Sequence, residues 1–108
     1  MSESTRGVRL TAAAERDLEE IRAYTEEQWG EAQWLAYFGH FVAAFERIAA
    51  FPRAGRPRDG FVPGLRSVPC REHVIFYLPD SGGAVVVQRV LHAARNAAAL
   101  DWAERGGG

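Results

Sequence analysis

The order of hydrophobic patterns in this 108-residue chain predicts an α+β fold. Three observations carry that expectation. Two long stretches with apolar residues at helical spacing follow one another with one glycine between them. Three apolar, strand-like stretches come after residue 64, and one short strand-like stretch precedes the helices. The expected architecture is an N-terminal strand, an antiparallel helical hairpin packed on one face of a mainly antiparallel four-stranded sheet, and a short C-terminal helix. A chain of this length is predicted to form a single domain over residues 1–108, with its core at about 8–104 and a disordered glycine end at 106–108.

Residues 7–11, GVRLT, predict the first strand, ending at Thr11, a good helix N-cap. In the helix that follows, Ala14, Leu18, Ile21, Thr25 and Gln28, with Tyr24 and Trp29 beside them, trace one stripe. Glu15, Asp17, Glu19, Glu20, Arg22, Glu26 and Glu27 are expected on the solvated side. Gly30 closes that helix, and the next runs to about Ala50, where Pro52 stops it. The apolar residues of this second helix, Trp34, Leu35, Tyr37, Phe38, Phe41, Val42, Phe45, Ile48 and Ala49, span an arc of about 160°, wider than the roughly 100° a one-sided helix needs. Either the helix lies between its hairpin mate and a sheet, or one edge of the arc receives another protein.

The stretch FPRAGRPRDGFVPGLRSV, residues 51–68, holds four arginines, one acid, three prolines and three glycines, which exclude a helix or a long strand. Strands are predicted at 65–70, 73–78 and 84–92, with PDSGG at 79–83 as a hairpin loop. Both alternating sets of HVIFYL are apolar, so that strand is expected in the centre of the sheet, covered on both faces. Pro69 confines the preceding strand to an edge or a short length. ARNAAALDWAER predicts the C-terminal helix.

A hydrophobic content of 47% argues against disorder. No apolar run approaches the length of a membrane span, and the N-terminus lacks the apolar core of a signal peptide, so a cytoplasmic location is expected. The lone Cys70 reads as a small buried hydrophobe. Residues 1–50 carry five arginines against nine acids, a balance of −4; residues 51–108 carry eight against five, a balance of +3. All basic residues besides histidine are arginine, as a GC-rich coding bias would produce.

His40, His73 and His92 stand at no metal-ligand spacing, so neither a metal nor a cofactor is expected. No serine elbow, glycine-rich phosphate loop or paired inward carboxylates point to hydrolase or nucleotide chemistry. What remains is a basic set, Arg56, Arg58, Arg66, Arg71, Arg89 and Arg95 with His92, which reads either as scattered surface arginine or as a patch for phosphate or an acidic protein.

The series Ala14-x-x-Asp17-Leu18-x-x-Ile21-x-x-Tyr24, then Gly30, Phe51-Pro52-x-x-Gly55-Arg56, Gly64-Leu65-Arg66, Val74-Ile75-Phe76-Tyr77 and the run from Val87 to Arg95 resembles the ParE branch of the RelE/ParE toxins of bacterial toxin–antitoxin modules. The resemblance covers roughly residues 8–100. It implies a type II toxin that inhibits DNA gyrase by binding, without a catalytic residue of its own, and that a ParD-like antitoxin neutralises in a hetero-oligomer. The alternatives it implies are a ribosome-dependent mRNA endonuclease of the RelE type and a non-toxic copy that only binds its antitoxin. The strand HVIFYL carries valine and isoleucine where a nuclease would place an arginine, and the chain has no lysine. On this reading Tyr24, Trp29, Trp34, Tyr37 and Phe41 are expected to contact the antitoxin, and Arg66, Arg89, His92, Arg95 and Trp102 the target.

Overall fold

The computed structural model describes residues 7–100 and 102. Strand β1 (Val8–Leu10) leads into α1 (Ala12–Trp29) through Thr11, whose hydroxyl accepts from Ala14 N at 3.0 Å and donates to Gln88 O at 2.9 Å. One side chain thus satisfies an orphan amide at the helix start and ties that start to the last strand. Gly30, at φ 96°, ends α1 and begins α2 (Glu31–Ala50); the left-handed backbone there suits glycine and allows the direct reversal.

The sheet is mixed and five-stranded, in the order β1-β5-β4-β3-β2, with β3 at Arg66–Cys70, β4 at His73–Pro79 and β5 at Val85–His92. The fifth strand, absent from the sequence expectation, is β2 (Arg56–Pro57), two residues of the basic segment that pair antiparallel with Ser67 and Arg66. Strand β1 runs parallel to β5, pairing Val8 with Val85 across most of the chain. Strand β4 is central, as its apolar alternation predicted.

Two hydrophobic clusters cover the two faces. On the helical face Ala14, Leu18, Phe41, Ala44, Phe45 and Ile48 pack on Val8, Cys70, Ile75, Tyr77, Val85, Val87 and Val90. On the far face Leu65, Phe76, Leu91 and Trp102 meet Phe61, Val62, Ala97 and Leu100 from the irregular segments. Over the described residues the predicted C-terminal helix is not α-helical: Ala97–Ala99 forms a 3-10 turn, Leu100 is extended at ψ 151°, and Trp102 is again in 3-10 conformation. Apolar packing of Ala97, Leu100 and Trp102 on the far face overrides the helix propensity of the alanines. Residues 101 and 103–108, including the expected glycine tail, lie outside the described residues.

Two local devices position the rest. Tyr77 is fully buried, and its hydroxyl donates to Pro52 O at 2.7 Å and accepts from Gly55 N at 3.1 Å, fixing the turn that leaves α2. A Cβ on residue 55 would collide with that hydroxyl, so the turn requires glycine for space. In the β4–β5 pair Tyr77 faces Val87 but Phe76 faces Arg89, leaving Gln88 as an extra residue, a β-bulge. The bulge changes the phase of β5: Val85 and Val87 face the helices before it, and Val90 does so after it.

Candidate functional site

A groove of about 830 Å³ opens between α1, the start of α2 and the adjoining ends of β4 and β5. Tyr24 and Trp29, 64% and 70% exposed, stand on its α1 side; Val90 and Leu91 line it from β5. Burying such aromatics would stabilise a complex, and leaving them in water gains nothing for the isolated fold.

The polar lining comes from four elements. Asp17 of α1 is buried and takes a two-pronged contact from Arg89, Nε to Oδ2 at 2.7 Å and Nη2 to Oδ1 at 2.9 Å; Oδ2 also accepts from Val90 N at 2.9 Å. Strand β1 pairs only with Val85–Val87, so among the described residues the β5 edge beyond them carries no strand, and the Asp17 carboxylate takes the place of one there. Hydrogen bonding to Asp17 raises Arg89 above the ordinary guanidinium value, so the guanidinium stays charged.

At the other end of the groove the bulge brings His73 directly opposite His92, with ring centroids 5.4 Å apart. His73 Nδ1 lies 2.7 Å from the Tyr37 hydroxyl, which also accepts from Glu72 N at 3.2 Å. Desolvation, and after it the neighbouring His92, holds His73 below the ordinary imidazole range, while burial pushes the Tyr37 phenol up. His92 Nδ1 accepts from Ala94 N at 3.1 Å, and its Nε2 lies 3.9 Å from a Glu72 carboxylate oxygen. Glu20 and Arg95 complete the charged lining.

The residues expected to meet an antitoxin therefore divide. Tyr24, Trp29 and Tyr37 line the groove, whereas Trp34 and Phe41 are buried in the fold and present no surface to it. The surplus arc of α2 is real but faces elsewhere: Leu35, 59% exposed, and Phe38 do not line the groove.

The residues expected to meet the target do not form one patch. Arg66 sits on β3, with β4 between it and β5, and donates to Gly55 O at 2.7 Å. Arg89 is consumed by Asp17, a residue expected in solvent. Trp102 is buried on the far face, stacked on Phe61 at 5.8 Å, with Nε1 donating to Ala97 O. Only His92 and Arg95 stand together, and they do so in the same groove as Tyr24 and Trp29. Sequence reasoning missed Asp17, Glu72 and His73. The one available signal was the broken alternation Val85, Val87, Val90, which marks the bulge that aligns the histidines.

Among the described residues no helix is long and apolar enough to cross a membrane. Comparison with known proteins yields a consistent set. The family described as ParE toxin of type II toxin-antitoxin system, parDE, matches residues 8–97. The chain is 40% identical over 83 residues to Toxin ParE1 of Mycobacterium tuberculosis, covering 77% of this chain and 85% of that protein. It is 37% identical over 91 residues to Toxin ParE1 of Caulobacter vibrioides, covering 84% and 93%, and 36% identical over 83 residues to Toxin ParE of Escherichia coli, covering 77% and 81%. A solved chain described as the chromosomal ParDE TA system from P. aeruginosa shares the fold with a TM-score of 0.66 at 20% identity, covering 82% of this chain and 98% of that one.

Proposed function

The chain belongs to the ParE toxin family of type II toxin–antitoxin systems, and from that premise we propose that its groove receives an amphipathic segment of a ParD-like antitoxin while its toxic action falls on DNA gyrase. The observation that carries the antitoxin half is the pair Tyr24 and Trp29, largely exposed beside an apolar floor of Ile21 and Val90. Aliphatic side chains one helical turn apart on a partner segment would cover those rings, as helix-in-groove recognition requires. The gyrase half rests on the family alone. His92 and Arg95 share the groove with the aromatic pair, so an antitoxin seated there would also cover the two basic groups expected to face the target.

Purified chain, gyrase and antitoxin test both halves. Inhibition of supercoiling that the antitoxin relieves, and that Trp29→Ala frees from relief without weakening the inhibition itself, is the expected result. A Trp29→Ala protein that the antitoxin still silences at parent concentrations would refute the groove assignment.

One observation favours a second reading. The fold gathers His73, His92, Glu72 and Tyr37 around one groove, groups able to move protons during RNA cleavage, which their sequence spacing did not suggest. Message cut on purified ribosomes by the parent, and spared by His92→Gln, would replace gyrase with the ribosome as target. A chain active against neither, yet tightly bound to its antitoxin, would be the non-toxic copy.

A further inference from the structure

The groove holds two imidazoles side by side, and burial opposes a proton on one of them, His73. His73 and His92 face each other across β4 and β5 at 5.4 Å, and the His73 ring packs edge-on against Phe41 at 5.8 Å and Tyr37 at 5.6 Å. We propose that seating the antitoxin segment in this groove expels a proton from the His73–His92 pair, so that the toxin–antitoxin complex loosens on acidification. This rests on the groove assignment above and adds a regulation to it.

The charged and titratable groups that face the pair come from every neighbouring element. From α1 come Asp17 and Glu20, and the Asp17 charge is matched by Arg89 of β5; from α2 comes the Tyr37 hydroxyl on His73 Nδ1. Strand β3 supplies the Cys70 thiol, opposite His73 in register; the β3–β4 turn supplies Glu72, near His92 at 3.9 Å, and the segment after β5 supplies Arg95. Glu72, Glu20 and Asp17 favour a cation here; burial, the second histidine and Arg95 disfavour it. The free protein already shows which side prevails. With Glu72 and Asp17 in place and the groove open to water, His73 is held below its ordinary range. A partner lying across Tyr24 and Trp29 removes the remaining water and the screening it provides, which strengthens desolvation and the repulsion between the rings.

The sign follows. A bound-state His73 pKa lower than the free-state one leaves the complex at full strength above the free-state titration, and weakens it as pH falls through that range. One expelled proton sets a limit of about tenfold in affinity per pH unit.

The test measures antitoxin affinity by calorimetry from about pH 7.5 to about pH 5.5, the span in which imidazoles titrate. It uses a ParD-type antitoxin with the parent, His73→Gln, His92→Gln and Trp29→Ala. The expected result is a severalfold loss in the parent toward acid, inside that limit because His73 is held below its ordinary range, a flat profile in His73→Gln, and an onset at higher pH in His92→Gln, where the second ring no longer opposes a proton on His73. An unchanged affinity in the parent, or an equal loss in His73→Gln, overturns the proposal. If His73→Gln does not fold, the His92→Gln onset decides: an onset at the parent pH overturns it. Trp29→Ala separates the two levels. If it binds as tightly as the parent, the groove assignment and the proton coupling both fall; if it binds weakly while the parent profile is flat, only the coupling falls.

Discussion

Two acid–base pairs border the same groove and do opposite things. Asp17 and Arg89 meet in two short contacts and are mostly out of water, with side chains 8% and 19% exposed. Glu72 and His92 approach only to 3.9 Å, with side chains 79% and 55% exposed. The first pair replaces a missing strand at the edge of β5 and joins α1 to the sheet; the second stands mostly in water and leaves both side chains open to a visitor. Chemical type does not separate them. The separation comes from burial: a dry carboxylate must be fully paired to be tolerated, and a wet one is free to be used.

The sharpest way to break that contrast is Asp17→Ala, which strands the Arg89 guanidinium and the Val90 amide. Removing one member of a buried pair should cost about 3 kcal/mol of stability, read from urea unfolding. A loss under about 1 kcal/mol would place the pair with the surface bridges. Gly55→Ala extends the rule to a buried polar contact, because the new methyl collides with the Tyr77 hydroxyl that joins Pro52 to Gly55. Overpacking there should cost about 2 kcal/mol.

On the wet side the effects move from stability to binding. Trp29→Ala should leave unfolding within about 0.5 kcal/mol of the parent and weaken antitoxin binding by about 2 kcal/mol. Glu72→Gln should change stability by less than about 0.5 kcal/mol. The smallest expected effect is on acid stability. Because folding depresses His73, the folded state takes up its proton less readily than the unfolded chain. Stability is therefore full above the ordinary imidazole range and falls as pH drops through it. Melting temperatures of the parent and His73→Gln should converge at neutral pH and separate toward acid.

The sequence made most of the framework legible, and for definite reasons. Thr11, Gly30 and Pro52 punctuate the hairpin where capping chemistry and proline sterics say they must, and HVIFYL, apolar on both faces after His73, lies mid-sheet. The misses share a cause. Asp17 belongs to the stripe of α1 only because of an arginine 72 residues away, and no helical periodicity reports a distant partner. Trp34 and Phe41 were assigned outward because an arc width does not say which edge the sheet occupies. Ala97–Ala99 has helix propensity, yet the far-face cluster recruits its neighbours one by one. His73 and His92 are brought opposite by the single extra residue Gln88, whose presence a strict alternation rule cannot accommodate.

The parallel pairing of β1 with β5 also bears on synthesis. Val8 awaits Val85, Thr11 awaits Gln88, and Asp17 awaits Arg89, so β1 and the start of α1 have no sheet partner until β5 has been made. Such long sequence separation delays closure of the fold, since the loop must be drawn in before any contact rewards it. The groove inherits that delay, because its floor is β5 and its rim is α1. A polypeptide halted before Val85 carries Tyr24 and Trp29 but has no Val90, His92 or Arg95 to stand beside them. The surface offered to a partner therefore comes into existence as a whole, late in translation, and a prematurely terminated chain lacks it.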